Sequence, residues 1–195
     1  MLITKRTTTS SVMRYTLLSL KLLLYGYLAY LLLFLATEFD PVNPAVRPPF
    51  VIFVVSWIDL FIHEGGHFIF RILGKFLYIL GGSLTQVMLP ALLAYVTFRR
   101  DRRWIGLPLF WTGENLVNVS VYIEDAPYKR LHLLAKGLIH DWNWLLDGDP
   151  TSAEILGGTV HWLGILVCAA AIGLGVWFAI SIFREGDEAP PPVLE

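Results

Sequence analysis

Apolar runs of about 20 residues, set between clusters of charge and proline, restrict this chain more than any other feature. A bilayer core about 30 Å thick takes about 20 helical residues to cross, and in lipid every backbone N–H and C=O needs a partner inside the protein. Such runs read as transmembrane helices, and five are visible: 17–36, 50–72, 83–98, 104–123 and 155–183. The expected fold class is therefore all-α, a polytopic membrane protein with about five transmembrane helices. A hydrophobic content of 55% agrees, since ordinary soluble domains lie near 45–50%.

Residues 15–184 read as a single membrane-embedded domain, with a basic N-terminal tail over 1–14 and a disordered acidic tail over 185–195. The first run is longer than the apolar part of a signal peptide, and no small-residue cleavage pattern follows it, so it is read as a span. The longest stretch outside the runs, 124–153, is too short for a core of its own. Any chemistry must sit in or against the membrane. Net charge is -1 and no basic face stands out, which excludes a nucleic-acid partner. The one cysteine, Cys168, falls in the last run and has no partner for an internal disulfide.

The connections carry their own signals. Residues 37–49 hold four prolines with Glu38 and Asp40, and read as a short exposed link. Before the third run, 76–80 is apolar and ends in Gly81-Gly82. This predicts either a short re-entrant or edge-strand element near 76–82, to which a peptide can add as a strand, or a bend in one long third helix. Residues 128–150 carry Trp142 and Trp144 among leucines and read as an interfacial segment. With the N-terminus in the cytoplasm, eight basic residues fall inside and six outside, a narrow positive-inside balance.

The second run contains Ile62-His63-Glu64-Gly65-Gly66-His67-Phe68. On a helix, His63 and His67 project from one face a turn apart and can reach one metal ion. Zinc takes neutral imidazole nitrogens, and a Glu beside the pair can accept a proton from an activated water. Glu64 is the expected catalytic base, with one Zn2+ per chain the expected cofactor. The plainer alternative is a buried polar cluster that only joins helices. Ionisable groups at membrane depth cost roughly 2.5–3.5 kcal/mol each on insertion scales, which favours a function. Asp59 lies one turn before His63, either as a helix–helix hydrogen-bonding group or as the carboxylate that orients a ligand imidazole. Gly65 and Gly66 let another backbone approach.

A catalytic zinc site needs a third protein ligand, and the candidates are Asp125, His140, Asp141 and Asp147. If the third segment crosses once, the fourth run ends on the same side as the histidines, within reach of Asp125 and the loop after it. The order His63-Glu64-x-x-His67, then Asn115-Leu116-x-Asn118 and Asp125 two spans later, resembles the core of site-2-protease-type intramembrane zinc metalloproteases. That resemblance implies an aspartate after the asparagine motif as third ligand, hence Asp125. It departs in having Ala126 where the family has glycine, in lacking the family's proline, and in a spacing one residue short. Leu146-Asp147-Gly148 carries the literal Asp-Gly but lies outside the apolar runs.

A nearer likeness, over roughly 61–148, is to a group of small bacterial membrane proteins with a His-Glu-x-Gly-His motif and no established activity. It rests on His63-Glu64-Gly65-Gly66-His67, Gly81-Gly82-Ser83-Leu84 with Gln86, Glu114-Asn115-Leu116 with Asn118, Tyr122-Ile123 with Asp125-Ala126, and His140-Asp141-Trp142. Asp125 ranks first as third ligand, His140 or Asp141 next, and Asp147 last.

The expected function is hydrolysis of a peptide bond in or near the bilayer, on a membrane-protein or peptide substrate, in a bacterial inner membrane. Asn115, Asn118 and Gln86 are candidates to contact substrate or a developing oxyanion, with interhelical hydrogen bonding as their alternative role. The rival function is a non-catalytic metal-binding membrane protein serving structure, sensing or assembly. A bis-histidine haem would have to pair His161 with His63 or His67 and would leave Glu64 without a purpose. Di-iron membrane oxygenases need more histidines than the five present.

Overall fold

The computed structural model describes residues 3–43, 45–131 and 139–188. Among them the chain is all α-helical: α1 (Ile3–Thr37), α2 (Phe50–Phe70), α3 (Lys75–Asp101), α4 (Gly106–Glu124), a short α5 (Asp141–Leu145) and α6 (Pro150–Glu188). Four segments are long and apolar enough to cross a membrane: Ser11–Thr37, Phe50–Leu73, Lys75–Trp104 and Pro150–Arg184. The acidic tail beyond 188 and Lys136 lie outside the described residues.

The expected fourth span is α4, which is less apolar than the other four, and its surroundings explain why. Ten of its 19 residues are buried, so protein rather than lipid covers it and its surface can be polar. Against α6 the packing depends on small residues: a Cβ on Gly113 would lie 2.6 Å from Cys168 Sγ, and one on Gly164 would lie 2.7 Å from the Gly113 carbonyl. An apolar core of Tyr25, Leu28, Leu31 and Leu35 from α1 closes on Phe110 and Val117 of α4 and on Cys168 and Ala171 of α6. The outward faces of α1, α2, α3 and α6 are rich in exposed Leu, Phe, Ile and Trp, as a lipid-facing surface requires.

Residues 76–82 correct the re-entrant reading. They are helical, the first two turns of a continuous α3. The chain reverses between α2 and α3 through a 3-10 turn, Arg71–Leu73, and Gly74 at φ +90°, a left-handed conformation that glycine adopts without strain. The glycines ahead of it serve contact rather than turning. A Cβ on Gly66 would collide with the Gly81 carbonyl, one on Gly81 would lie 2.7 Å from Phe70 Cβ, and one on Gly82 would lie 2.6 Å from His63 Nε2. Thus α2 and α3 meet almost backbone to backbone, antiparallel, with His63 filling the space above Gly82. The contacts Trp111 to Asp59 and Tyr122 to His63 run in the same order along both helices, so α4 lies parallel to α2.

Candidate metal centre

The helical spacing of four brings His63 and His67 together, with Nε2 atoms 3.2 Å apart. Their other ring nitrogens are each held by an acceptor. Gln86 donates its amide N–H to Asn118 Oδ1 at 3.1 Å, which turns its carbonyl Oε1 toward His63 Nδ1 at 3.2 Å. His63 Nδ1 therefore carries the hydrogen. His67 Nδ1 donates to the Tyr78 carbonyl at 2.7 Å. With these hydrogens on Nδ1, both rings turn Nε2 to the same point.

The third group at that point is Asp141. Its Oδ2 lies 2.9 Å from His63 Nε2 and 3.2 Å from His67 Nε2. His63, His67 and Asp141 form a group that could hold a metal ion, the only such group of His, Cys, Asp and Glu among the described residues. Three acceptors at this separation repel one another unless positive charge sits between them. A proton on one imidazole satisfies one or two contacts, whereas a metal ion satisfies all three.

Asp141 reaches the histidines because α5 is pinned on three sides. Its own N–H donates to Tyr122 Oη at 3.1 Å, the Trp142 indole donates to Ser83 Oγ at 3.0 Å, and the Asn143 amide donates to the Ala126 carbonyl at 2.9 Å. His140 caps the helix, accepting from Asn143 N–H at 3.3 Å. Burial holds the His140 imidazole below its ordinary value, partly offset by Asp125, and the neutral ring leaves Nδ1 free to accept.

The other expected site residues fall as follows. Asp125, ranked first as third ligand, is not brought to the histidine pair. Its carboxylate accepts from the backbone N–H groups of Arg130 and Leu131 at 3.0 and 2.9 Å and lies 3.4 Å from His140 Nε2. The acceptor demand of a turn explains this: two backbone donors occupy both its oxygens. Asp147 is exposed, at φ +51° in the turn that closes α5. Asp59 does not orient an imidazole; it accepts from the Trp111 indole at 2.8 Å, and Gln86 takes the orienting part. Asn115 turns to Trp111 and Glu114, and Asn118 acts through Gln86. His161 sits against Trp162 on α6, outside the group.

Glu64 is half-buried and lines an open cleft of about 600 Å³ with His67, Arg71, Lys75 and Tyr78. The histidine group is thus enclosed on the Gln86 side and opens on the His67 side. The Tyr78 carbonyl had no side-chain signal by which the sequence could announce it. Ser83 and Tyr122 stood out in the sequence only as parts of longer segments, and nothing in their spacing tied them to α5. No protein-family model, curated protein or solved structure matches this chain.

Proposed function

We propose that this chain is a zinc-dependent intramembrane endopeptidase, with His63, His67 and Asp141 as the zinc ligands and Glu64 as the base. The observation that carries the reading is the triangle of Nε2, Nε2 and Oδ2 with edges of 3.2, 2.9 and 3.2 Å. Ligand atoms at about 2.0–2.1 Å from a tetrahedral zinc are separated by about 3.3 Å, so the ion fits with little movement. Bound zinc would supply Lewis acidity, polarising a carbonyl and acidifying a water in the fourth position. Gln86 and the Tyr78 carbonyl fix the imidazole tautomers for that purpose. Glu64, on the cleft side beside His67, accepts the proton and can return it to the leaving amine. The cleft admits the substrate, and the lipid-facing helices keep the reaction at the membrane. The bacterial likeness and the positive-inside balance support a bacterial inner membrane with the N-terminus inside.

A second reading, a metal held for structure, sensing or assembly, draws on burial: His63 and Asp141 are each only 6% exposed. The two separate on Glu64. Purified protein is expected to carry about one zinc per chain, and Glu64→Gln to keep it. A membrane precursor is expected to accumulate equally in a deletion strain and a Glu64→Gln strain. A Glu64→Gln strain that behaves as wild type, while metal-ligand variants fail, overturns the protease reading in favour of the second.

A further inference from the structure

Two carboxyl groups lie fully buried away from the histidines: Asp59 of α2 is 0% exposed and Glu114 of α4 is 1% exposed. Trp111 and Asn115 of α4 tie the two into one cluster. Half of the cluster is satisfied. Asp59 Oδ1 accepts from the Trp111 indole at 2.8 Å, and Asn115 Nδ2 donates to the Trp111 carbonyl at 2.9 Å and to Glu114 Oε2 at 3.4 Å. The other half is not. Asp59 Oδ2, Glu114 Oε1 and Asn115 Oδ1 are all buried without a partner, and Asn115 is itself 0% exposed. All three orphans are acceptor oxygens.

Buried acceptor oxygens cannot satisfy one another, and two carboxylates buried in one cluster cannot both keep their charge unneutralised. Among the described residues no lysine, arginine or histidine acts on either carboxyl. Cys168 of α6 also lies near Glu114, and its thiol is directed to the Phe110 carbonyl at 3.5 Å. No described residue supplies the missing positive charge.

We propose that Asp59, Glu114 and Asn115 form a second cation site, separate from the histidine group, that takes one monovalent cation: a sodium ion or a proton. It sits at the centre of the helix bundle, one helical turn from His63 along α2, where the cation stitches α2 to α4. The site is independent of the peptidase reading, since it needs neither zinc nor Glu64.

The test uses the full chain in detergent or nanodiscs. Thermal unfolding is followed in sodium chloride and in choline chloride at equal ionic strength, and infrared spectra are recorded for the carbonyl stretch of a protonated carboxyl. If sodium is the occupant, sodium at about ten times its dissociation constant raises Tm by about 3–6 °C, and Glu114→Gln and Asp59→Asn abolish the rise. If a proton is the occupant, Tm is indifferent to sodium and the wild type shows a protonated-carboxyl band that shifts in D2O and is lost in Glu114→Gln. Should Glu114→Gln fail to fold, Asp59→Asn carries the assignment. A wild type with neither a sodium response nor such a band overturns the proposal.

Discussion

Gly82→Ala tests the metal centre without touching a ligand. The added Cβ would lie 2.6 Å from His63 Nε2 and 2.8 Å from both neighbouring ring carbons. Unbonded carbon contacts are favourable only from about 3.5 Å, so the ring must retreat by about 0.9 Å. It cannot do so freely, because Gln86 holds Nδ1 at 3.2 Å and Asp141 meets Nε2 at 2.9 Å. Ligand constellations tolerate errors of about 0.5 Å. Loss of a group that merely orients a ligand costs about 10–100-fold in metal affinity, so Gly82→Ala is expected to cost at least about 100-fold. Overpacking adds a stability cost of about 1–3 kcal/mol. Two further glycines separate these effects. A Cβ on Gly81 meets the Phe70 side chain at 2.7–2.9 Å, and one on Gly65 meets nothing within 4 Å. Gly81→Ala should lower stability yet keep the metal, and Gly65→Ala should change neither. Zinc per chain by elemental analysis and chelator competition are the readouts, with Tm alongside. Zinc bound by Gly82→Ala within threefold of wild type, or lost equally in Gly81→Ala, refutes the reasoning.

Asp141→Asn is expected to abolish stoichiometric zinc, while Asp125→Asn keeps it and loses about 1–3 kcal/mol of stability through the backbone donors it leaves imperfectly paired; the reverse pattern in elemental analysis would restore Asp125 as the ligand. Gln86→Leu removes the acceptor for His63 Nδ1 and should weaken zinc about 10–100-fold in chelator competition, where an unchanged affinity would deny Gln86 its orienting part. Asp149 caps α6, accepting from Ser152 N–H at 2.9 Å, and the Ser152 side chain together with this backbone bond draws its carboxyl below the usual range. A carboxyl depressed by folding stabilises above its unfolded value and loses that contribution as pH falls through the folded one. The acid limb of a Tm–pH profile should therefore lie flatter in Asp149→Ala, and an identical limb would count against the cap.

The spans were legible because lipid leaves a chain few choices: 17–36, 50–72 and 155–183 fall inside helices long and apolar enough to cross. The re-entrant alternative at 76–82 arose because Gly-Gly looks the same whether a chain bends or another group lies against it. Here the second holds, with Phe70 against Gly81 and His63 against Gly82. A helix enclosed by protein, as α4 is, gives a weak signal for the same physical reason: its polar residues face neighbouring side chains.

The helical part of the candidate site was legible for a simple reason, since a spacing of four on one helix fixes two side chains relative to each other. No period connects a loop residue to a distant helix, and so Asp125, His140, Asp141 and Asp147 could not be told apart by position. Order along the chain favoured Asp125 because it follows α4 directly, yet an acidic side chain at a helix end meets the unpaired N–H groups of the turn before it meets anything farther away. Asp125 is used there, holding Arg130 and Leu131. The carboxylate left over for the histidines is the one on a segment with its own anchors, and the Trp142 bond to Ser83 ties that segment to the helix whose Gly82 makes room for His63. The acid that reaches the histidines is therefore decided by competition among buried acceptors for backbone donors, a contest written in three dimensions that spacing alone does not record.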